Sequence, residues 1–250
     1  MVFKYLDNYK FTAFSHRGGS IEHHENTMNA FEKSINLGYE YIETDVRHTK
    51  DNKLVIFHDD DLRRICNLNI KISEIDFEEL KKIKIFENHS IPLLDDAIHQ
   101  WPDTNFNIDP KSDKASYLLL DELKKQKDLD RFCVGSFNSE RLKIVRDGFN
   151  NNICTSMSQE EVIKLFFYKI FSLRESDIPC LQIPMYFHGV KIVTQKLVDH
   201  VHNTNKKIHI WTIDDEAEMQ ELIDLGVDGI MTDRPRKLKE ILVNNSLWPV

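Results

Sequence analysis

Two histidines and a pair of carboxylates in the first quarter of the chain are the residues best suited to chemistry. His16 stands in Phe14-Ser15-His16-Arg17-Gly18-Gly19 and His58 in Leu54-Val55-Ile56-Phe57-His58-Asp59, each at the end of an apolar run. Between them, Glu43-Thr44-Asp45 closes a third such run. Imidazoles take and give protons near neutral pH, and a carboxylate cluster can hold a hard cation against phosphate oxygens. That is the equipment for metal-assisted cleavage of a phosphate ester. Either histidine alone reads as an ordinary strand-end residue bonded to a carbonyl or carboxylate. As a pair, each beside a charged neighbour and flanking the carboxylates, they point to general acid–base work.

Glu43 and Asp45 lie two apart on a strand and therefore share a face. Two like charges side by side are costly to bury without a compensating cation. Asp109, ending Phe106-Asn107-Ile108-Asp109, offers a third oxygen donor. Three carboxylates and no cysteine favour one divalent cation, Mg²⁺ or Ca²⁺, over zinc. The alternative is an ion network pairing the same carboxylates with Arg17, Arg47 or Lys111. Arg17 and Lys111 also suit a phosphate, one as a fork and the other as a point charge. Trp211, at a later strand end, is a further candidate substrate contact. Gly18-Gly19 permits close backbone approach. His23 and His24, adjacent in a loop, are expected to be solvated.

Positioning these groups requires regular elements. Candidate strands fall at 11–15, 39–46, 53–57, 105–109, 132–136, 152–155, 180–183, 208–212 and 229–232. Helical patterns fall at 27–37, 77–83, 94–101, 117–126, 140–147, 160–173, 194–203, 215–225 and 236–243, with Gly38 stopping the first. Strand then helix, repeated about eight times, reads as parallel β-structure with crossover helices. A chain of 250 residues suits a closed TIM (β/α)8 barrel, which runs about that length. One strand exceeds that count: 39–46 and 53–57 are joined by an Asp51-Asn52 turn and form an antiparallel pair. In such a barrel, functional groups project from the C-terminal ends of strands. The stretch 160–171 is the most apolar helix and reads as an outer helix packing on the sheet. No linker or repeat interrupts the pattern, so residues 1–250 form one domain.

Composition narrows the function. With 41% hydrophobic and 30% charged residues the chain is a globular protein. No apolar run approaches the roughly 20 residues of a membrane span, and the N-terminus lacks a secretory pattern, so a cytoplasmic enzyme without stable membrane insertion is expected. A net charge of −8 argues against nucleic acid but allows a small anionic substrate in a locally positive pocket. The four cysteines, Cys66, Cys133, Cys154 and Cys180, show no Cys-x-x-Cys spacing. Three of them, in apolar runs, read as buried hydrophobes, and neither disulfides nor structural zinc is indicated.

The ordered motifs resemble the glycerophosphodiester phosphodiesterase family. They are His16-Arg17-Gly18, Glu25-Asn26-Thr27, Glu43-Thr44-Asp45-Val46, His58-Asp59 with Leu62 and Arg64, and Ile91-Pro92-Leu93-Leu94. Trp211-Thr212-Ile213-Asp214 and the stretch from Gly226 to Pro235 continue the likeness to the last strand. The resemblance implies a barrel enzyme that hydrolyses glycerophosphodiesters to glycerol 3-phosphate and an alcohol. It implies His16 and His58 as acid and base, and Glu43, Asp45 and Asp109 as metal ligands. Asp109 stands where the family has a longer glutamate, Pro110 is unusual in its motif, and His24 replaces a proline. Two other readings share these residues: a lysophospholipase D acting at a membrane surface, and a non-catalytic phosphodiester-binding barrel.

Overall fold

The computed structural model describes residues 3–7, 10–165 and 176–248 of the 250. Eight parallel strands form its centre: β1 (Thr12–His16), β2 (Tyr41–His48), β4 (Asn105–Pro110), β5 (Phe132–Val134), β6 (Cys154–Thr155), β7 (Cys180–Pro184), β8 (Lys207–Trp211) and β9 (Gly229–Thr232). A further strand, β3 (Leu54–Ile56), pairs antiparallel with β2, as the Asp51-Asn52 turn predicts. The hydrogen-bonded order is β6-β5-β4-β2-β1-β9-β8-β7. Between β6 and β7, among the described residues, the isolated parallel bridge Ser156–Cys180 closes the circle. The fold is the TIM barrel expected from the alternation.

Strand periodicity divides inside from outside. Along β2 and β4, Ile42, Val46, Phe106 and Ile108 pack outward in one cluster with helix residues such as Phe31, Leu94 and Leu119. The alternate residues Glu43, Asp45, Asn107 and Asp109 face the lumen. Register sets Glu43 beside Asn107 and Asp45 beside Asp109. Lower in the lumen, Phe14, Tyr41, Cys133, Cys154, Cys180 and Met231 fill the space with Tyr5 and Leu6 of the short helix Lys4–Asp7. Glu43, Asp45 and Asp109 thus line the lumen above this layer, toward the C-terminal ends of the strands, where parallel barrels carry function.

Besides the one-turn helices Lys4–Asp7, Arg63–Cys66 and Phe77–Leu80, the last falling within the expected 77–83, the helices are α1 (Met28–Asn36), α2 (Leu94–Gln100), α3 (Asp113–Leu123), α4 (Ser139–Gly148), α5 (Gln159–Ile163), α6 (Gln195–His202), α7 (Glu216–Asp224) and α8 (Pro235–Asn244). Their starts follow capping chemistry. Thr27 accepts from the Ala30 N–H at 3.1 Å, Ser112 from Ala115 at 3.1 Å, and Asp215 from Ala217 at 2.9 Å. The Ser112 cap starts α3 at Asp113, four residues before the expected 117. Gly38, at φ +94°, ends α1 as expected. Residues 166–173 of the predicted 160–173 helix lie outside the described residues. Two small ribbons, Lys84–Ile85 with His89–Ser90 and Tyr186–Phe187 with Val190–Lys191, were not foreseen, being only two residues per strand. Among the described residues, no helix is long and apolar enough to cross a membrane.

Candidate active site

A tight turn at the end of β1 sets up the first half of the site. Arg17, Gly18 and Gly19 are consecutive left-handed residues, at φ 52°, 80° and 89°. A Cβ on Gly18 would come within 2.7 Å of the Ala30 Cβ, and one on Gly19 within 2.6 Å of the Pro235 ring. Both positions therefore need glycine for conformation and for space. The turn lets the Arg17 N–H donate to the Glu43 carbonyl at 2.9 Å. It also brings the Arg17 Nε within 3.0 Å of Asp45 Oδ2, an ion pair whose N–H is not aligned for a hydrogen bond.

Each histidine is held by its own carboxylate. His16 Nδ1 lies 2.7 Å from Asp233 Oδ1. Burial pushes the Asp233 pKa up, but hydrogen bonds from His16 and Ser20 outweigh it and hold the group below the usual range. An ionised carboxylate only accepts, so Nδ1 carries the hydrogen, and Nε2 faces Glu43 Oε2 at 3.7 Å. His58 Nδ1 lies 2.7 Å from Asp59 Oδ1. Asp59 too is held low against burial, by hydrogen bonds from Arg64 and His58. In both cases Nε2 is left to exchange a proton. Burial tends to lower the His16 pKa, yet Glu43 and Asp233 together raise it above its ordinary value.

Between the histidines lie the three carboxylates. Lys111 Nζ bridges two of them, at 2.7 Å from Asp45 Oδ1 and 2.5 Å from Asp109 Oδ2. Asp45 stays well below the carboxylate range: burial works against this, but Lys111, Arg17 and His58 prevail. Lys111 in turn is pushed up to about 12, burial notwithstanding, by Asp45 and Asp109. Glu43 differs. Burial, then the charge of Asp45, lifts it to about 7. Burial likewise raises Asp109, whose Oδ1 is buried without a hydrogen-bond partner. The ion network considered as an alternative is therefore present through Arg17 and Lys111, while Arg47 pairs with Asp60 at 3.1 Å, but the network under-compensates three carboxylates. An all-oxygen donor set with one orphaned oxygen and one carboxyl poised to ionise fits a hard divalent cation. The shorter side chain of Asp109 still reaches the cluster, because it shares the Lys111 ammonium with Asp45.

One cavity of about 440 Å³ gathers His16, Arg17, Glu43, Asp45, His58, Asp109, Lys111 and Trp211. All eight residues singled out in the sequence therefore line a single space. Its opposite wall is apolar, formed by Phe137, Met157, Val162, Ile163, Phe187 and Ile192 with Trp211. Phe137 and Trp211 meet edge to face at 5.3 Å.

Residues 16–237 match the Glycerophosphoryl diester phosphodiesterase family. The chain belongs to this family. It is 30% identical, over 94% of its own length and 92% of the other, to "Probable glycerophosphodiester phosphodiesterase 2" of Mycobacterium tuberculosis. It is 28% identical to human "Lysophospholipase D GDPD1", covering 93% of this chain and 86% of that one. The structure of a Thermotoga maritima glycerophosphodiester phosphodiesterase superposes with a TM-score of 0.75 at 26% identity, covering 94% and 98% of the two chains. An Oleispira antarctica phosphodiesterase, solved with sn-glycerol-3-phosphate, shares the fold at a TM-score of 0.77 and 22% identity, over 93% and 96%. As a glycerophosphodiester phosphodiesterase, the protein is a phosphoric diester hydrolase.

Around this phosphodiesterase's site, several partners escaped sequence reading. Asp233 follows the last strand, far from His16 in the chain, and only the β1–β9 pairing brings them together. Asn26, buried and left-handed at φ 54°, donates to Asp45 Oδ2 at 3.0 Å and accepts from Thr44 at 2.9 Å. Arg64 grips Glu25 through two nitrogens, at 2.6 and 3.0 Å, and Asp59 at 2.6 Å. It thereby ties the His58 support to the loop before α1. Glu25, Asn26 and Arg64 belong to recognisable motifs, but their roles follow only from these contacts. His23 corrects the expectation of solvation: both its ring nitrogens are buried without partners. The exposed His24 stacks on Phe86, with centroids 4.7 Å apart.

Proposed function

We propose that this single-domain chain hydrolyses glycerophosphodiesters to sn-glycerol 3-phosphate and an alcohol, with His16 and His58 as the acid–base pair. The observation that carries the reading is the matched support of the two imidazoles: each has Nδ1 on an ionised aspartate, and both line the cavity of the three carboxylates. Such a pair can remove a proton from the attacking hydroxyl and give one to the departing alcohol. Glu43, Asp45 and Asp109 would hold one Ca²⁺ or Mg²⁺, which when bound supplies charge to the phosphate oxygens and lowers the pKa of a bound hydroxyl. Arg17 and Lys111 lie on the same side and stabilise negative charge on the phosphoryl group. Trp211 offers a flat apolar face to the glycerol or head-group carbons. The product complex of the Oleispira phosphodiesterase supports sn-glycerol 3-phosphate as the phosphate-bearing product here.

The apolar wall favours a second substrate class for the same machinery. Phe137, Met157, Val162, Ile163, Phe187 and Ile192 offer little to a polar head group but suit an acyl chain. Lysophospholipids would carry such a chain, and the similarity to human "Lysophospholipase D GDPD1" is in keeping with it. A substrate panel tests both readings. Release of glycerol 3-phosphate from glycerophosphocholine supports the first, and a higher kcat/KM on lysophosphatidylcholine selects the second. With His16→Ala or His58→Ala, either activity is expected to fall by ~10²–10⁴-fold. Wild-type turnover in both variants would overturn the acid–base assignment.

A further inference from the structure

At the N-terminal end of the lumen, away from the carboxylates, three cysteines converge from adjacent strands. Cys133 of β5, Cys154 of β6 and Cys180 of β7 are buried, and their sulfurs lie within 4.8 Å of one another. None is in a disulfide. No short motif connects them; the sheet does. Cys133 and Cys154 are register partners, and Cys180 forms the lone bridge with Ser156 that closes the barrel. The alternation that turns Glu43 and Asp45 inward thus also turns three soft donors inward.

A second, independent feature lies beside them. Tyr5, 1% exposed, packs in the same cluster as the three cysteines, yet its hydroxyl has no hydrogen-bond partner. Its ring meets that of Tyr41 edge to face at 5.2 Å within the cluster that holds all three cysteines. An orphaned O–H donor buried next to three thiols is satisfied when a thiolate forms there. We propose that Cys133, Cys154 and Cys180 constitute a binding site for one thiophilic divalent ion of the zinc class. It would be separate from the hard-cation site above it.

The chemistry of the cluster suits such an ion. Thiolates are the soft ligands that select zinc-like metals, with Zn–S bonds of about 2.3 Å. That bond length puts tetrahedral sulfurs about 3.8 Å apart, which a small side-chain rotation reaches from the present spacing. The Cys180 thiol donates to the Thr155 carbonyl at 3.7 Å, so its sulfur already sits at the seam between β6 and β7. Binding of a divalent ion by three thiolates releases the three thiol protons and leaves one net negative charge on the buried site. The ion would link β5, β6 and β7 across the seam, where the backbone offers little beyond one bridge and the 3.0 Å bond from the Met157 N–H to the Cys180 carbonyl. Because the helix Lys4–Asp7 covers this end, the ion would enter as the chain folds.

Cadmium is a suitable probe, because sulfur-to-cadmium charge transfer absorbs in the ultraviolet and carboxylate or imidazole ligation does not. The full chain is unfolded in reductant and chelator, refolded with Cd²⁺, and freed of excess ion. The expected result is the charge-transfer band at one thiolate-bound Cd²⁺ per chain and a higher unfolding temperature than protein refolded without metal. The band is lost in Cys154→Ala or Cys154→Ser and retained in Cys66→Ser, whose cysteine lies elsewhere. A wild-type protein that refolds with Cd²⁺ but shows no band overturns the proposal without recourse to any variant. So does a band that survives Cys154→Ala in a folded protein.

Discussion

Replacing Asp233 with asparagine isolates the support of one histidine from everything else in the site. Asp233 does not line the cavity, and its carboxylate meets His16 Nδ1 at 2.7 Å with only 15% and 16% of the two side chains exposed. Asparagine keeps the shape but loses the charge, and its amide can donate to Nδ1, which moves the imidazole hydrogen to Nε2. A hydrogen bond to a charged group contributes about 1.5–3 kcal/mol, or roughly 10- to 150-fold in rate when it is realised in the transition state. The wrong tautomer adds to that, so kcat should fall by ~10²–10⁴-fold, the range of general acid–base catalysis. KM should change little, because no cavity-lining side chain is altered. The pH profile supplies a readout that a merely structural role would not move. Asp233 raises the His16 pKa, so its neutralisation should shift the limb belonging to His16 toward lower pH. Steady-state kinetics on a glycerophosphodiester across pH, with circular dichroism to verify folding, measures all three quantities. A folded Asp233→Asn enzyme with kcat within about twofold of wild type and an unmoved limb would refute the dyad.

Three further outcomes are expected. Asp109→Asn removes one carboxylate of the cluster and one partner of Lys111, and it should raise the cation concentration needed for half-maximal activity by at least ~10-fold, read from metal titration of stripped enzyme. Gly18→Ala should destabilise the fold by ~1–3 kcal/mol in urea unfolding, since the added methyl meets Ala30 in a left-handed turn; an unchanged midpoint would contradict the packing argument. Asp228 is held below the usual carboxylate range, against burial, by the Ile208 N–H, Lys207 and His202. Its folded pKa is depressed, so its stabilisation is complete above the unfolded value near 4 and is lost as pH falls through the folded one. Asp228→Asn should therefore cost about 2 kcal/mol at neutral pH and progressively less in acid, measured by denaturant midpoints.

The parts legible in the sequence are those fixed by local periodicity. Alternation along Tyr41–His48 and Asn105–Pro110 sorts each residue to lumen or helix layer, so Glu43, Asp45 and Asp109 could be assigned to one mouth before any pairing was known. The histidines followed from strand-end position. What lay beyond reach depended on which strands are neighbours around the circle. Asp233 meets His16 because the last strand pairs with the first, and Cys180 meets Cys154 because the barrel closes between them. Sequence read the cysteines one at a time as buried hydrophobes; their burial is as expected, but their proximity is a property of closure. The apolar wall was equally invisible, since Phe137, Val162 and Phe187 come from separate loops and short elements with no common motif.

The proposed machinery is a pair of aspartate-supported histidines acting beside a carboxylate-held cation on a glycerophosphodiester. It is tested most directly by ³¹P NMR of the full chain, stripped with chelator, incubated with glycerophosphocholine, and then supplied with Ca²⁺ or Mg²⁺. The expected result is no turnover in the stripped enzyme and, on adding cation, conversion of the diester resonance to that of sn-glycerol 3-phosphate. Full turnover without any divalent cation would contradict it, as would release of phosphocholine in place of glycerol 3-phosphate.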